Sequence, residues 1–206
     1  LDYEASWRAA ATLIELGQEL AEDAATARDS SYSAAAERAR RAIAIAPDQV
    51  DGHFVLAMAL GRLALTRSGK GRLGYAAEIY QEASRAVAID STHSGAHHVL
   101  GLWHAEARRI SGLSRFLAKN LLGGGILGQS SWEAAIRHLE TAVRLDPARI
   151  YHRLDLARVY RDRKRYADAR RELDAIAELP DRERLDPRYR ERAEQLREAM
   201  AGKRDR

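Results

Sequence analysis

Cysteine is absent from these 206 residues, proline occurs four times, and aromatic side chains make up 6%. Without thiols there is no disulfide framework, no thiol nucleophile and no Cys-ligated zinc. Sparse β-branched and aromatic residues argue against a sandwich or barrel. No apolar run approaches the ~20 residues that cross a bilayer as a helix, and no secretory signal is visible. Charge shows little excess of one sign: 34 Lys and Arg face 30 Asp and Glu, a net +4. That balance permits nucleic-acid binding without indicating it. The chain opens Leu1-Asp2-Tyr3 without a Met, which we read as a trimmed or mature form whose true N-terminus is open.

Alanine is abundant, at 39 residues, and it has the best intrinsic helix propensity because it loses no side-chain entropy in a helix. The length suits one ordinary domain or one repeat array. Internal similarity decides between them. Three stretches align: Arg41-Ala-Ile-Ala-Ile-Ala-Pro47, Arg85-Ala-Val-Ala-Ile-Asp-Ser91 and Thr141-Ala-Val-Arg-Leu-Asp-Pro147. Each is followed by a second aligned stretch: Gly52-His-Phe-Val-Leu-Ala-Met-Ala-Leu60, Ala96-His-His-Val-Leu-Gly-Leu-Trp-His104 and His152-Arg-Leu-Asp-Leu-Ala-Arg-Val-Tyr160. Both sets recur at the same spacings, 44 and then 56 residues.

These residues resemble tetratricopeptide repeats, antiparallel helix pairs with a period of about 34 residues. The Leu-small pair of the first helix stands at Leu56-Ala57, Leu100-Gly101 and Leu156-Ala157. The last repeat fits best, with Leu156, Ala157, Tyr160, Tyr166, Ala169 and Leu173 in register. Small residues there let helix axes approach to ~8–10 Å. From first-helix Leu to second-helix small residue is 20 residues in the last repeat (Leu156 to Ile176), but 30 from Leu56 to Ala86 and 42 from Leu100 to Ala142. The first repeat, Ala10 to Ala42, gives 32, so three of four repeats carry insertions.

The largest insertion narrows the resemblance. His97-His-Val-Leu-Gly-Leu-Trp103, Ile110-Ser-Gly-Leu-Ser-Arg-Phe116, Leu121-Leu-Gly-Gly124 and Ser131-Trp-Glu-Ala-Ala135 look like the regulator of microtubule dynamics family. The likeness continues through Leu145-Asp-Pro147, Ile150-Tyr-His152 and Glu178-Leu-Pro180, over roughly residues 48–200. Some eukaryotic members bind microtubules, or tether membranes and transfer phospholipids between them. The Ala/Arg bias looks bacterial, where relatives often carry a secretion signal, so the resemblance leans toward the periplasm or another extracytoplasmic site. Microtubule binding is not carried over. A groove that accepts an apolar partner is.

The pattern predicts an all-α, tetratricopeptide-like right-handed superhelix of antiparallel helix pairs, with long inter-helix insertions and a C-terminal capping helix. A single domain spans 1–201, with repeats at about 2–47, 48–91, 92–147 and 148–180, a cap at 187–201 and a frayed tail at 202–206. Helices are expected near 2–26, 31–46, 49–67, 72–90, 93–110, 131–146, 148–163, 166–178 and 187–201.

The expected site is the concave groove. Aligning the repeats puts Arg8, Thr12, Phe54, Met58, His98, Leu102, Tyr151, Leu154 and Arg158 on it, apolar in the middle and polar or basic at the ends. An amphipathic helix or an acyl chain with an anionic head suits that stripe; inserted segments filling the groove are the alternative. The insertion itself carries Leu113, Phe116, Leu117, Leu121 and Leu122 near helical spacing, with Arg115 and Lys119 on one turn. It reads as a lid packed on the protein's own helices, or as a membrane- or partner-contacting helix.

No catalytic constellation stands out. His93, His97 and His104 fall on one helical face, but no HExxH accompanies them and Glu106 lies off that face. Metal binding is therefore not expected. Gly123-Gly124-Gly125 with Gly128 lacks the Lys and Ser/Thr of a phosphate loop, and no Gly-x-Ser-x-Gly elbow exists. The run Arg161-Asp-Arg-Lys-Arg165 reads as a solvated turn between helices. We therefore expect a noncatalytic scaffold without cofactors, binding an amphipathic or apolar protein segment. A phospholipid- or membrane-binding module using the same groove is the alternative. No nucleic-acid partner is expected.

Overall fold

A computed structural model describes residues 2–21, 23–67, 74–110 and 124–205. Among them the chain forms nine α-helices, one short 3-10 turn and no strand. In order they are α1 (Tyr3–Glu19), α2 (Ala25–Ile45), α3 (Val50–Thr66), α4 (Ala76–Ile89), α5 (Ser94–Arg109), the 3-10 turn (Gly124–Gln129), α6 (Trp132–Leu145), α7 (Ile150–Asp162), α8 (Tyr166–Glu178) and α9 (Asp186–Ala199). Several starts have side-chain caps, which occupy amides that a first turn leaves without partners. Asp2 accepts from Glu4 N, His93 Nδ1 from Ala96 N, and Ser131 from Ala134 N.

The first hairpin departs from the sequence pattern. Alanines at 21–25 continue the helical rhythm, yet α1 stops at Glu19 and Ala24 N donates to Ala21 O at 3.1 Å in a turn. High helix propensity alone does not prevent a turn where two helices must pack antiparallel. At the tail, Asp205 accepts from Ala167 N at 2.9 Å, and Arg170 donates to the carbonyls of Met200 and Lys203.

Consecutive helices pair α1 with α2, α3 with α4, α5 with α6 and α7 with α8, and each pair stacks on the next. The first helices of successive pairs, α1, α3, α5 and α7, also touch in turn, so together they form one face of the stack. Close approach depends on small residues. Ala10, Ala42, Ala57, Ala86, Ala135, Ala142, Ala157 and Ala169 are all fully buried. At Gly101 even one extra carbon would lie 2.6 Å from Leu139 Cγ and 3.1 Å from the Ala135 carbonyl.

A repeated polar tie joins each pair to the one before. His53 meets the Pro47 carbonyl through Nε2 (2.9 Å) and Glu82 of α4 through Nδ1 (2.5 Å). Arg153 donates to the Pro147 carbonyl (2.9 Å) and to Glu172 of α8 (2.7 Å). His97 occupies the equivalent place: Nε2 meets the Ser91 carbonyl at 3.0 Å, and Nδ1 meets Nδ1 of His138 at 3.0 Å. A carbonyl only accepts, so His97 Nε2 carries a proton, Nδ1 of the neutral ring accepts, and His138 donates. Where its sister repeats place a carboxylate, the third repeat places His138.

Burial, with His97, His104 and Arg137 nearby, lowers the His138 pKa to about 4. Burial and Arg137 lower that of His104 as well. The unfolded imidazole protonates near 6.5 and the folded one resists, so stability falls as pH drops through that window. His138→Glu restores the carboxylate of the other repeats. Its melting temperature should fall less between pH 7 and pH 5 than that of the unsubstituted protein; equal losses would refute the assignment. Gly101→Val should overpack the α5–α6 contact and cost about 1–3 kcal/mol, read as a lower urea midpoint.

Candidate functional site

A cleft of about 680 Å³ opens along the face formed by the first helices. From α3 come Phe54, Met58, Arg62 and Leu65; from α5 come His98, Val99, Leu102 and Trp103. Steps of three and four residues place each set on one side of its helix. α1 adds Thr12, Glu15 and Leu16, and Tyr151 enters from the start of α7. The floor is mostly apolar. At the rim Leu16 and Leu65 remain 51% and 56% exposed.

Six of the nine groove residues expected from repeat alignment line this cleft: Thr12, Phe54, Met58, His98, Leu102 and Tyr151. Arg8 is exposed and pairs with Glu4 at 2.5 Å. Leu154 and Arg158 do not line it. Leu154 is 1% exposed in the C-terminal core, which α9 completes with Ala193 and Leu196, and Met200 just beyond it. Alignment assumes an open face in every repeat, and α9 covers that part of α7. Arg158 instead donates to Asp155 at 2.8 Å, and Asp155 binds His98 Nε2 at 3.0 Å. Burial alone would raise the Asp155 pKa, but hydrogen bonds and charge from His98 and Arg158 outweigh it and hold the carboxyl well below the usual range. The His98 ring also stacks on buried His152, centroids 4.9 Å apart.

Leu113, Phe116, Leu117 and Leu121 lie outside the described residues; flanking positions Ile110 and Leu127 line the cleft. His93 caps α5, and His97 belongs to the inter-repeat tie. Among the described residues no group of three or more His, Cys, Asp or Glu is arranged to hold a metal ion. Nor is any described helix long and apolar enough to cross a membrane. The basic run at the α7–α8 turn is partly neutralised, by Asp162 beside Arg161 and Asp168 beside Arg165.

Sequence reasoning missed a clasp. Residues 183–185 and Tyr189, entering α9, reach the far end of α1 and wall the cleft. Arg184 pairs with Glu19 at 3.0 Å, Arg188 donates to the Gln18 carbonyl at 3.1 Å, and the Tyr189 hydroxyl faces Gln18 Oε1 at 3.4 Å. These contacts join ends of the chain some 170 residues apart. The charged stretch 181–190 carried only the signal of a solvated cap. Arg62 was missed as well. Its charge bears on the phenols of Tyr151 and Tyr189, whose pKa values are raised by burial; Arg149 and then Arg62 pull Tyr151 back in part, and Arg62 does so at Tyr189.

The model of one family, Regulator of microtubule dynamics protein 1-3, matches residues 1–201. The chain belongs to that family. No curated protein matches it. Among solved structures, a thermophilic TPR protein of Thermus thermophilus superposes with a TM-score of 0.63 and 21% identity, over 95% of this chain and 81% of that one. A monomeric IFIT1 mutant solved with Gppp-AAAA matches at a TM-score of 0.44 and 18% identity, over 87% of this chain and 47% of that one. The fold of this family member is thus a tetratricopeptide-like superhelix.

The clasp is a set of partly exposed polar contacts, each worth at most about 1 kcal/mol. Arg184→Glu sets like charges against Glu19 and should speed amide exchange in the last turn of α1 several-fold, leaving α3 protection unchanged. Unchanged exchange at Gln18 and Glu19 would show that the clasp does not restrain α1.

Proposed function

We propose that this chain is a noncatalytic interaction module that seats an amphipathic or apolar segment of a protein partner in its cleft. The observation that carries this reading is the continuous apolar floor of Phe54, Met58, Val99, Leu102 and Trp103, extended to the rim by Leu16 and Leu65. Covering such a surface gains about 25 cal/mol per Å² of apolar area, and contiguous apolar patches of this kind mark partner sites. An α-helix is about 10–12 Å across with its side chains, so a seated helix would also lie on the rim. Chemistry finds little support there. Asp155 and His98 form two members of a triad, but Thr12 is the one Ser or Thr among the described lining residues, and its hydroxyl bonds to the Arg8 carbonyl of its own helix.

An acyl chain of a phospholipid is the second reading, favoured by the clasp, because a walled cleft suits a slim occupant. N-Phenyl-1-naphthylamine, whose fluorescence rises in apolar sites, tests the cleft directly. Leu102→Asp should weaken its binding at least tenfold without changing helix content; equal binding would place the probe elsewhere and remove the basis for the site. Solvent extraction and mass spectrometry of the purified protein separate the readings. Stoichiometric phospholipid would favour the second, and a clean extract with probe binding retained the first.

A further inference from the structure

Among the described residues three arginines border the cleft, and two are already engaged. Arg149 bonds Asp146 at 2.9 Å and also Glu183, while Arg184 bonds Glu19. Arg62 makes no hydrogen bond and no ion pair among the described residues, although it is half-buried one turn beyond Met58 on α3. The cleft's acids do not serve it. Glu19, Glu183 and Glu106 are held by Arg184, Arg149 and Arg109, and Glu15 makes no ion pair with it. A guanidinium is never neutral in a protein, so its half-desolvated charge favours any occupant that supplies an anion.

We propose that Arg62 is the specificity anchor of the cleft, and that the occupant is an amphipathic helix of a protein partner carrying a Glu or Asp side chain within its apolar face. The assignment rests on the interaction-module reading above and adds the chemistry of what is recognised. A single planar fork, with no second free cation beside it among the described residues, suits one monoanionic carboxylate, which it binds bidentately. The phenols of Tyr151 and Tyr189 border the same corner and leave the carboxylate partly shielded from water. The rim argues for a helix. Leu65 stands one turn outward from Arg62 on α3, and Leu16 faces out from α1, so the apolar surface continues beyond the walled part of the cleft. A chain buried wholly inside leaves both leucines uncovered; a helix lying in the mouth covers them.

The test uses two fluorescein-labelled 15-residue Leu/Ala/Lys amphipathic helices, identical except for one Glu or Gln at the centre of the apolar face. Fluorescence anisotropy with the intact protein should give at least tenfold tighter binding of the Glu helix. Arg62→Gln should bring the two helices to equal affinity, while Arg62→Lys, which keeps the charge but not the fork, retains part of the preference. Met58→Glu places a carboxylate four residues before Arg62, a favourable helical pairing, and should abolish the preference from within. Equal binding of both helices by the unsubstituted protein, or a preference that survives Arg62→Gln, would overturn the anchor while leaving the cleft standing. If neither helix nor N-phenyl-1-naphthylamine binds, the cleft reading itself fails. If the naphthylamine and 11-(dansylamino)undecanoate bind, the latter only with Arg62 present, and neither helix does, the carboxylate belongs to a lipid-like amphiphile and the protein-helix assignment is overturned.

Discussion

How near one helix axis can come to the next governs this molecule. Each pair packs through positions where Ala or Gly is buried, as at Gly101 of α5 against Leu139 and Ala135. Bulk there would separate the pairs, and the ridges of one helix would no longer seat in the grooves of the next. The small step between successive pairs, repeated, curves the stack and brings α1, α3, α5 and α7 onto one surface. The cleft is therefore not an added feature. It is what the packing rule leaves on the inside of the curve.

Curvature also accounts for the clasp. Gln18 and Arg188 belong to the two ends of the array, and only the accumulated rotation of the intervening pairs sets them 3.1 Å apart. Such a contact stores little energy of its own, since its Arg184–Glu19 pair involves an arginine side chain that is 81% exposed. Its effect is geometric: it turns an open concave face into a walled cleft. The polar ties set the stagger on which that curvature depends. His53, His97 and Arg153 each hold the carbonyl six residues before them, whichever side chain does the holding. Of these three ties, that of the third repeat closes with two imidazoles. That makes the junction at the largest insertion the one whose tie is most sensitive to acid.

Repeat architecture was legible because local pattern and spacing both encode it. Leu56-Ala57, Leu100-Gly101 and Leu156-Ala157 report the same packing position, and most of the cleft floor follows from their register. Leu154 and Arg158 were misplaced because register says which way a side chain points but not what later packs over it. α9 covers Leu154, and Asp155 draws Arg158 aside. The histidines misled differently. Offsets of four and seven put His93, His97 and His104 on one face, but the partners that decide their roles lie elsewhere: Ala96 N for His93, and the Ser91 carbonyl and His138 for His97. A one-dimensional pattern cannot show a contact made across 41 residues. Nor can it show which of many arginines lacks a carboxylate.

That last distinction gives the cleft its chemical character. In an Arg-rich chain a lone guanidinium on a solvated surface has no special meaning, because water satisfies it. Arg62 is different in its surroundings rather than its kind. Around it lie an apolar floor, two phenols, and acids of which Glu19 and Glu183 are matched to other cations. The ion pairs that close the clasp and brace the α7 entry engage Glu19 and Glu183 with other arginines. Arg62 itself makes no ion pair among the described residues. An apolar surface alone would accept many hydrophobic segments with little discrimination, since one methylene more or less changes binding by only about 1 kcal/mol. A partly desolvated charge adds a term that a neutral occupant cannot supply and that a basic one opposes.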